Sequence, residues 1–221
     1  LECLPEAEED FDRWYREEHL AERAGVPGFL RARRHQAVRG APKYFAFYEV
    51  EDAGVLRSPT YLERLNNPTE WTRRVMPTVR DFTRGVYRRH AAAGAVAHPQ
   101  ETESVATLRL YPSPGRMDAL RAHWGDEALA ALAAIPGVRS AALFEADATA
   151  PGGVTVERSL IGTTAEASPL FCLCELEDPA VADRPAWRAL LSPEGLARGG
   201  TVSHLAEGVY RLLHSCGHPR P

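Results

Sequence analysis

Lysine is almost missing from this chain: Lys43 is its only one among 26 basic residues, and the others are arginine. Together with alanine runs such as Ala91-Ala92-Ala93, that bias reads as GC-rich coding rather than as a function. Long apolar runs are also missing. None approaches the roughly 20 residues that cross a bilayer, so no spanning helix is expected. No glycine-rich phosphate loop, no Gly-x-Ser-x-Gly elbow and no zinc-protease helix occurs, which weighs against a nucleotide-dependent enzyme, an α/β hydrolase and a zincin. The net charge of −4 offers nothing to nucleic acid or to an anionic membrane.

Cysteine is sparse and unpaired in pattern. Cys172 and Cys174 alternate within a strand-like run and share a face, so they read as small apolar residues. With Cys3 and Cys216 they fit a reducing cytoplasm. The start, Leu1-Glu2-Cys3-Leu4-Pro5, has no signal-peptide pattern and no initiator methionine, so a few upstream residues are expected. His214-Ser215-Cys216-Gly217-His218 holds ligand types, but no second cluster accompanies it. A frayed tail without metal is the expectation there.

What is present is a repeat. Trp14-Tyr15, Val26-Pro27-Gly28-Phe29, Phe45-Ala46-Phe47-Tyr48-Glu49-Val50-Glu51-Asp52 and Gly85-Val86-Tyr87-Arg88 are answered in order by a second series. That series is Trp124, Ile135-Pro136-Gly137-Val138, Phe171-Cys172-Leu173-Cys174-Glu175-Leu176-Glu177-Asp178 and Gly208-Val209-Tyr210-Arg211. Each copy reads as strand, helix, strand, strand, helix, strand, the ferredoxin-like order. In the first copy these are a strand end at Leu1–Leu4, a helix over 6–23, strands over 29–38 and 43–51, helices over 58–65 and 67–80, and a strand over 83–89. In the second they are strands over 105–111 and 138–145, with a helix over 116–134 between them. An extra strand over 155–161, a strand over 170–177, helices over 185–191 and 193–198, and a strand over 206–213 follow.

The expected class is therefore α+β: two tandem βαββαβ units whose sheets pack as an α/β barrel. The expected boundaries are a first unit over 1–90, a linker over 91–102, a second unit over 103–216 and a tail over 217–221. With both halves on one chain, no second subunit is needed for closure. The inner sheet faces are expected to enclose a pocket.

Phe11-x-x-Trp14-Tyr15-x-x-Glu18-His19-Leu20, followed by Val26-Pro27-Gly28-Phe29 and an arginine-bearing strand, resembles the EthD-like families of the dimeric α/β-barrel superfamily. The resemblance covers about the first 35 residues. It implies a small-molecule protein among polyketide cyclases, cofactor-free monooxygenases, isomerases, dehydratases and haem-degrading or haem-binding relatives. The expected function is a cofactor-free cyclase, dehydratase or lyase acting on an aromatic or polyketide-like metabolite. The alternatives are a cofactor-free monooxygenase and a non-catalytic binder of a hydrophobic metabolite or haem.

The candidate residues come from the contrast between copies. Superposing Pro27-Gly28 on Pro136-Gly137 sets His19 against Ala128, Arg33 against Ala142 and Arg34 against Leu143. Superposing the aromatic strands sets Tyr48 against Cys174. His19 is the expected acid or base, because imidazole titrates near neutrality. Tyr48 and Arg33 are its expected catalytic partners. Tyr44, Arg34, Trp71 and Arg74 are the expected substrate contacts. Arg33 and Arg34 point to opposite faces, so only one can reach the pocket. Tyr44, Ala46 and Tyr48 are expected to face the barrel, with Phe45 and Phe47 under the helices. Tyr87 and Tyr210, kept in both copies, read as structural.

Overall fold

The computed structural model describes residues 1–95, 102–150, 153–162, 164–197 and 202–217. Glu8, Glu9 and Asp10 crowd the first turn of the helix Glu8–Trp14, where the N-terminal dipole favours acidic side chains. The helix passes through a π-turn, Tyr15–His19, and ends as Leu20–Ala24. The matched helix of the second copy does the same: Met117–His123, a π-turn at Trp124–Ala128, then Leu129–Ala133.

The repeat holds in the turns as well. Gly28 and Gly137 take φ of 89° and 86°, a left-handed region that side chains resist. A methyl at either would meet a valine Cγ, of Val55 at 2.5 Å or Val181 at 2.6 Å. Asp52 accepts from the Gly54 N–H at 2.6 Å, and Asp178 accepts from the Ala180 N–H at 2.8 Å. Ser58 caps the helix Pro59–Asn66 with proline in its first turn, as such a pair should.

One curled antiparallel sheet carries both copies. Its seven strands run in the order Tyr44–Val50, Phe29–Gly40, Val202–Gly217, Ser104–Pro112, Leu170–Leu176, Val138–Ala146, Tyr87–Gly94. The four from Val202–Gly217 to Val138–Ala146 show the order of a ferredoxin-like unit. The first copy is split to the two ends. Its strand Phe29–Gly40 pairs with the last strand of the second copy, and its own last strand pairs with Val138–Ala146. The result is a half-barrel held by exchange of final strands. At the start of the chain, Leu1 exchanges backbone bonds with Tyr44, and Glu2–Cys3 pairs with Val79–Arg80.

Three of the four apolar clusters among the described residues follow from this layering. The second copy packs its helices on its sheet through an apolar cluster that includes Leu108, Leu120, Trp124, Leu129, Leu143, Cys172 and Trp187. The first copy does so with Phe11, Trp14, Tyr15, Ala32, Tyr44, Val75, Met76 and Ile161. The concave face is filled by Val105, Phe171, Leu173 and Tyr210, with Phe45, Phe47, Tyr87 and Phe144 against them.

Several expectations are corrected. Residues 155–161 do not form a strand. Thr155 accepts from the Arg158 N–H and starts the short helix Val156–Ser159. The helix expected over 67–80 ends at Val75, because Pro77 interrupts it and the chain turns to extended structure at Val79–Arg80. The last strand is longer than 206–213. His214, Ser215 and Cys216 pair with Arg34, Arg33 and Ala32, so they are sheet and not a frayed tail; His218 lies outside the described residues. The strand Tyr87–Gly94 runs on into the segment expected as linker. Among the described residues no helix is long and apolar enough to cross a membrane.

Candidate functional site

Alternation along Phe29–Gly40 decides which arginine goes where. Arg34 and Ala32 point to the helices, while Arg33 and His35 point to the concave face. Arg34 is fully buried, its guanidinium 4.8, 4.4 and 4.3 Å from the rings of Phe11, Tyr15 and Tyr44. One of its nitrogens is paired with Asp12. The other two, Nε and Nη1, have no protein partner.

The faces of the aromatic strand are the reverse of the expectation. Tyr44, Ala46 and Tyr48 lie under the helices. Phe45 and Phe47 line the barrel interior beside Phe171, Tyr210 and Phe144. The reason is polar: the Tyr44 hydroxyl donates to Glu8 at the helix start, and the Tyr44 ring gives the buried Arg34 guanidinium an aromatic face.

His19 sits at the end of the π-turn, buried. Its ring lies 4.3 Å from Trp14, 4.9 Å from Tyr15 and 6.5 Å from Tyr48, centre to centre. Burial first, then the charges of Arg23 and Arg34, hold its imidazole well below the usual histidine range. The ring is thereby held neutral at pH 7. Burial pushes the Tyr48 phenol well above its ordinary range, so it keeps its proton and can donate. The Tyr48 hydroxyl lies against that of Tyr15, and His19 Nδ1 is buried without a protein hydrogen-bond partner. Buried polar atoms are seldom left so. Arg34 Nε and Nη1, on the side chain whose charge acts on His19, are left in the same way.

Two contributors escaped sequence reasoning. Arg23, one turn beyond His19, is buried against the Tyr61 ring and paired with Glu157. Glu157 comes from the second copy, on the helix that was read as a strand. Nothing in the repeat could have signalled it, because its segment has no counterpart in the first copy.

The other expected site residues lie apart. Arg33 is on the concave face, 2.9 Å from Glu49 and 3.1 Å from Glu175, with Ser140 donating to Glu175 at 3.1 Å. It ties the copies together and does not join His19 and Tyr48. Trp71 and Arg74 both bond Asp10, at 3.1 Å each. They clamp the helix Glu70–Val75 to the first helix near the surface. Trp14 Nε1 donates to Glu18 and to Thr72, at 3.1 Å each, deeper in the same seam.

The matched positions of the second copy are apolar. Ala128, Leu143, Leu170 and Cys174 are buried in its apolar core, with the sulfurs of Cys172 and Cys174 3.9 Å apart. A cavity of about 280 Å³ lies between its helices, lined mostly by alanine and leucine with His123 and Glu127 among them. Among the described residues no three His, Cys, Asp or Glu side chains gather as metal ligands.

The fold is shared with known structures. The chain aligns over 97% of its length, and 88% of the other, with an anthrone oxidase-like protein at TM-score 0.60 and 14% identity. It aligns over 99%, and 92% of the other, with a "putative monooxygenase" from Fusobacterium nucleatum at TM-score 0.60 and 10% identity. A "putative monooxygenase" from Lactobacillus acidophilus matches over 98%, and 92% of the other, at TM-score 0.53 and 8% identity. At these identities the likeness establishes the ferredoxin-like fold alone. The sequence matches no protein-family model and no curated protein.

Proposed function

We propose that the first copy's helix–sheet interface is the reaction site of a cofactor-free enzyme acting on an aromatic or polyketide-like small molecule. In it, neutral His19 takes a proton from an acidic carbon or phenol. One observation carries the reading: a buried imidazole, held neutral and with Nδ1 unpartnered, lies among a protonated phenol and a guanidinium with free N–H groups. A base that is neutral at pH 7 needs no prior deprotonation, and the anion formed beside it would offset the burial and the Arg23 and Arg34 charges that otherwise disfavour the imidazolium. The anion it creates would be met by the Tyr48 hydroxyl and the Arg34 donors, fixed in place before reaction and shielded from water.

Such an anion can close a ring, expel a leaving group or reduce dioxygen. The names borne by the structural neighbours favour oxygenation. The step balances without a cofactor: a methylene plus O2 gives a carbonyl plus water, the substrate supplying the electrons. Cyclisation or dehydration shares the first proton transfer and is the second reading. A haem is a poorer fit, because the His19 ring packs against Trp14 rather than facing a broad apolar slot.

A hydroxylated anthrone, with an acidic methylene between aromatic rings, is the probe to use in an oxygen electrode. The wild type should consume O2, and His19→Ala should lower the rate per folded molecule by about 10²–10⁴-fold, beyond the loss of folded protein that its lowered urea midpoint reports. An unchanged rate in the variant would remove His19 from the chemistry.

A further inference from the structure

The two copies differ most in the connection between their second and third strands. Residues 41–43 suffice in the first copy, whereas the second uses 147–169. The added chain does little for its own half. Ile161 packs into the first copy's cluster with Trp14, Tyr15 and Tyr44. Glu157 pairs with Arg23 of the first helix, with side chains 8% and 4% exposed. Val156 N–H donates to Asn66 at 3.3 Å, and Thr164–Ala165 runs parallel to Phe82–Thr83. The segment is a strap drawn across the face where His19 lies.

We propose that residues 153–162 are a movable wall of the first copy's site, latched by the Arg23–Glu157 ion pair, whose release gives a small molecule access to His19. The inference rests on reading that interface as the site. The hinge points are visible. Gly153 and Gly162 bracket the strap, and both have open space around them. Between them is a single short helix, Val156–Ser159, held by few backbone bonds of its own. Segments of that kind open locally at far lower cost than a core strand. The latch is the strong point of the closure, because loss of one partner leaves the other charge buried and unpaired. Arg23 Nη1 lacks a hydrogen bond even in the closed form, with a Glu22 carboxylate oxygen 3.9 Å away. When the strap lifts, Arg23 keeps its place on the first helix and is free to meet an incoming anion. The second copy, apolar at the positions matching His19 and Arg34, thus takes part in the first copy's chemistry as its door.

Diethyl pyrocarbonate reacts with neutral imidazole, and mass spectrometry locates the modified histidine. The test therefore needs no substrate, and it can fail while the proposed function stands. His35, buried on the concave face away from the strap, is the internal control. Glu157→Gln should speed modification of His19 at least about tenfold while leaving His35 unchanged. No acceleration of His19, or an equal acceleration of both, would overturn the proposal. Should the variant fail to fold, hydrogen exchange of the wild type decides. The amides of Ser159, Leu160 and Ile161 should exchange at least about 100-fold faster than those of Ser104–Pro112. Exchange of the strap in step with that strand would mean that it opens only on unfolding, and would end the idea.

Discussion

Arg34 and His19 show how much of the site a sequence can reveal. Both stood out because the second copy replaces them with Leu143 and Ala128, and both lie in one buried cluster with Tyr44 and Tyr48. Arg33 could not be told from Arg34 in advance. Alternation says that two neighbours face opposite ways, but not which way is inward. The aromatic strand carries rings on both faces, so its hydrophobicity could not orient it either. Arg23 and Glu157 were illegible because their pairing joins residues far apart in the chain. His35, also unremarked, supplies a test. Burial and the Arg33 charge lower its pKa from 6.5 to about 3. The folded state thus refuses a proton that the unfolded chain accepts below 6.5. Its contribution to stability is whole above that value and is lost as pH falls through the window down to about 3. His19 acts in the same direction. Urea unfolding between pH 6 and pH 4 should give a steep loss for the wild type. In His35→Phe the slope should be shallower by about 1.4 kcal/mol per pH unit; an unchanged slope would mean that His35 is protonated in the fold.

At the scale of elements the repeat was the reliable guide. The Pro-Gly turns, the Ser58-Pro59 helix start and the paired aspartate caps all appear as their chemistry requires. The errors fell where local pattern and context disagree. Thr155, Val156 and Ile161 look strand-like because they are β-branched, yet the Thr155 cap and the neighbouring helix Pro59–Asn66 favour helix. The last strand was cut short because polar His214 and Ser215 gave no apolar alternation, although the sheet gains both as ladder partners. The glycine turns carry the prediction at this scale. Gly137→Ala forces a side chain into left-handed backbone and onto Val181, and should cost about 2–5 kcal/mol. Val181→Ala in the same chain removes the clash but not the strain. The double variant should therefore lose less than the sum of the single losses in chemical denaturation. Strict additivity would show that the turn relaxes away from Val181.

Over the whole molecule, the duplicated fold has divided its labour. The second copy spends its helix–sheet layer on a continuous apolar core, and the first keeps buried arginines, a neutral histidine and phenols in the matched layer. Shared strands hold the halves together, and the Arg33, Glu49 and Glu175 network crosses between them on the concave face. The ferredoxin-like class was legible because it follows from element order. The facing of the third strand was not, because the sequence turned its tyrosines into the barrel and the structure turns them under the helices. The central claim is that His19 removes a proton there. Deuterium entry into the methylene of a hydroxylated anthrone, followed by NMR in D2O without oxygen, reads that step before any oxygenation or cyclisation. The wild type should accelerate entry above the buffer rate, and His19→Ala should return it to within about tenfold of buffer. Equal acceleration by the wild type and the variant would contradict the account.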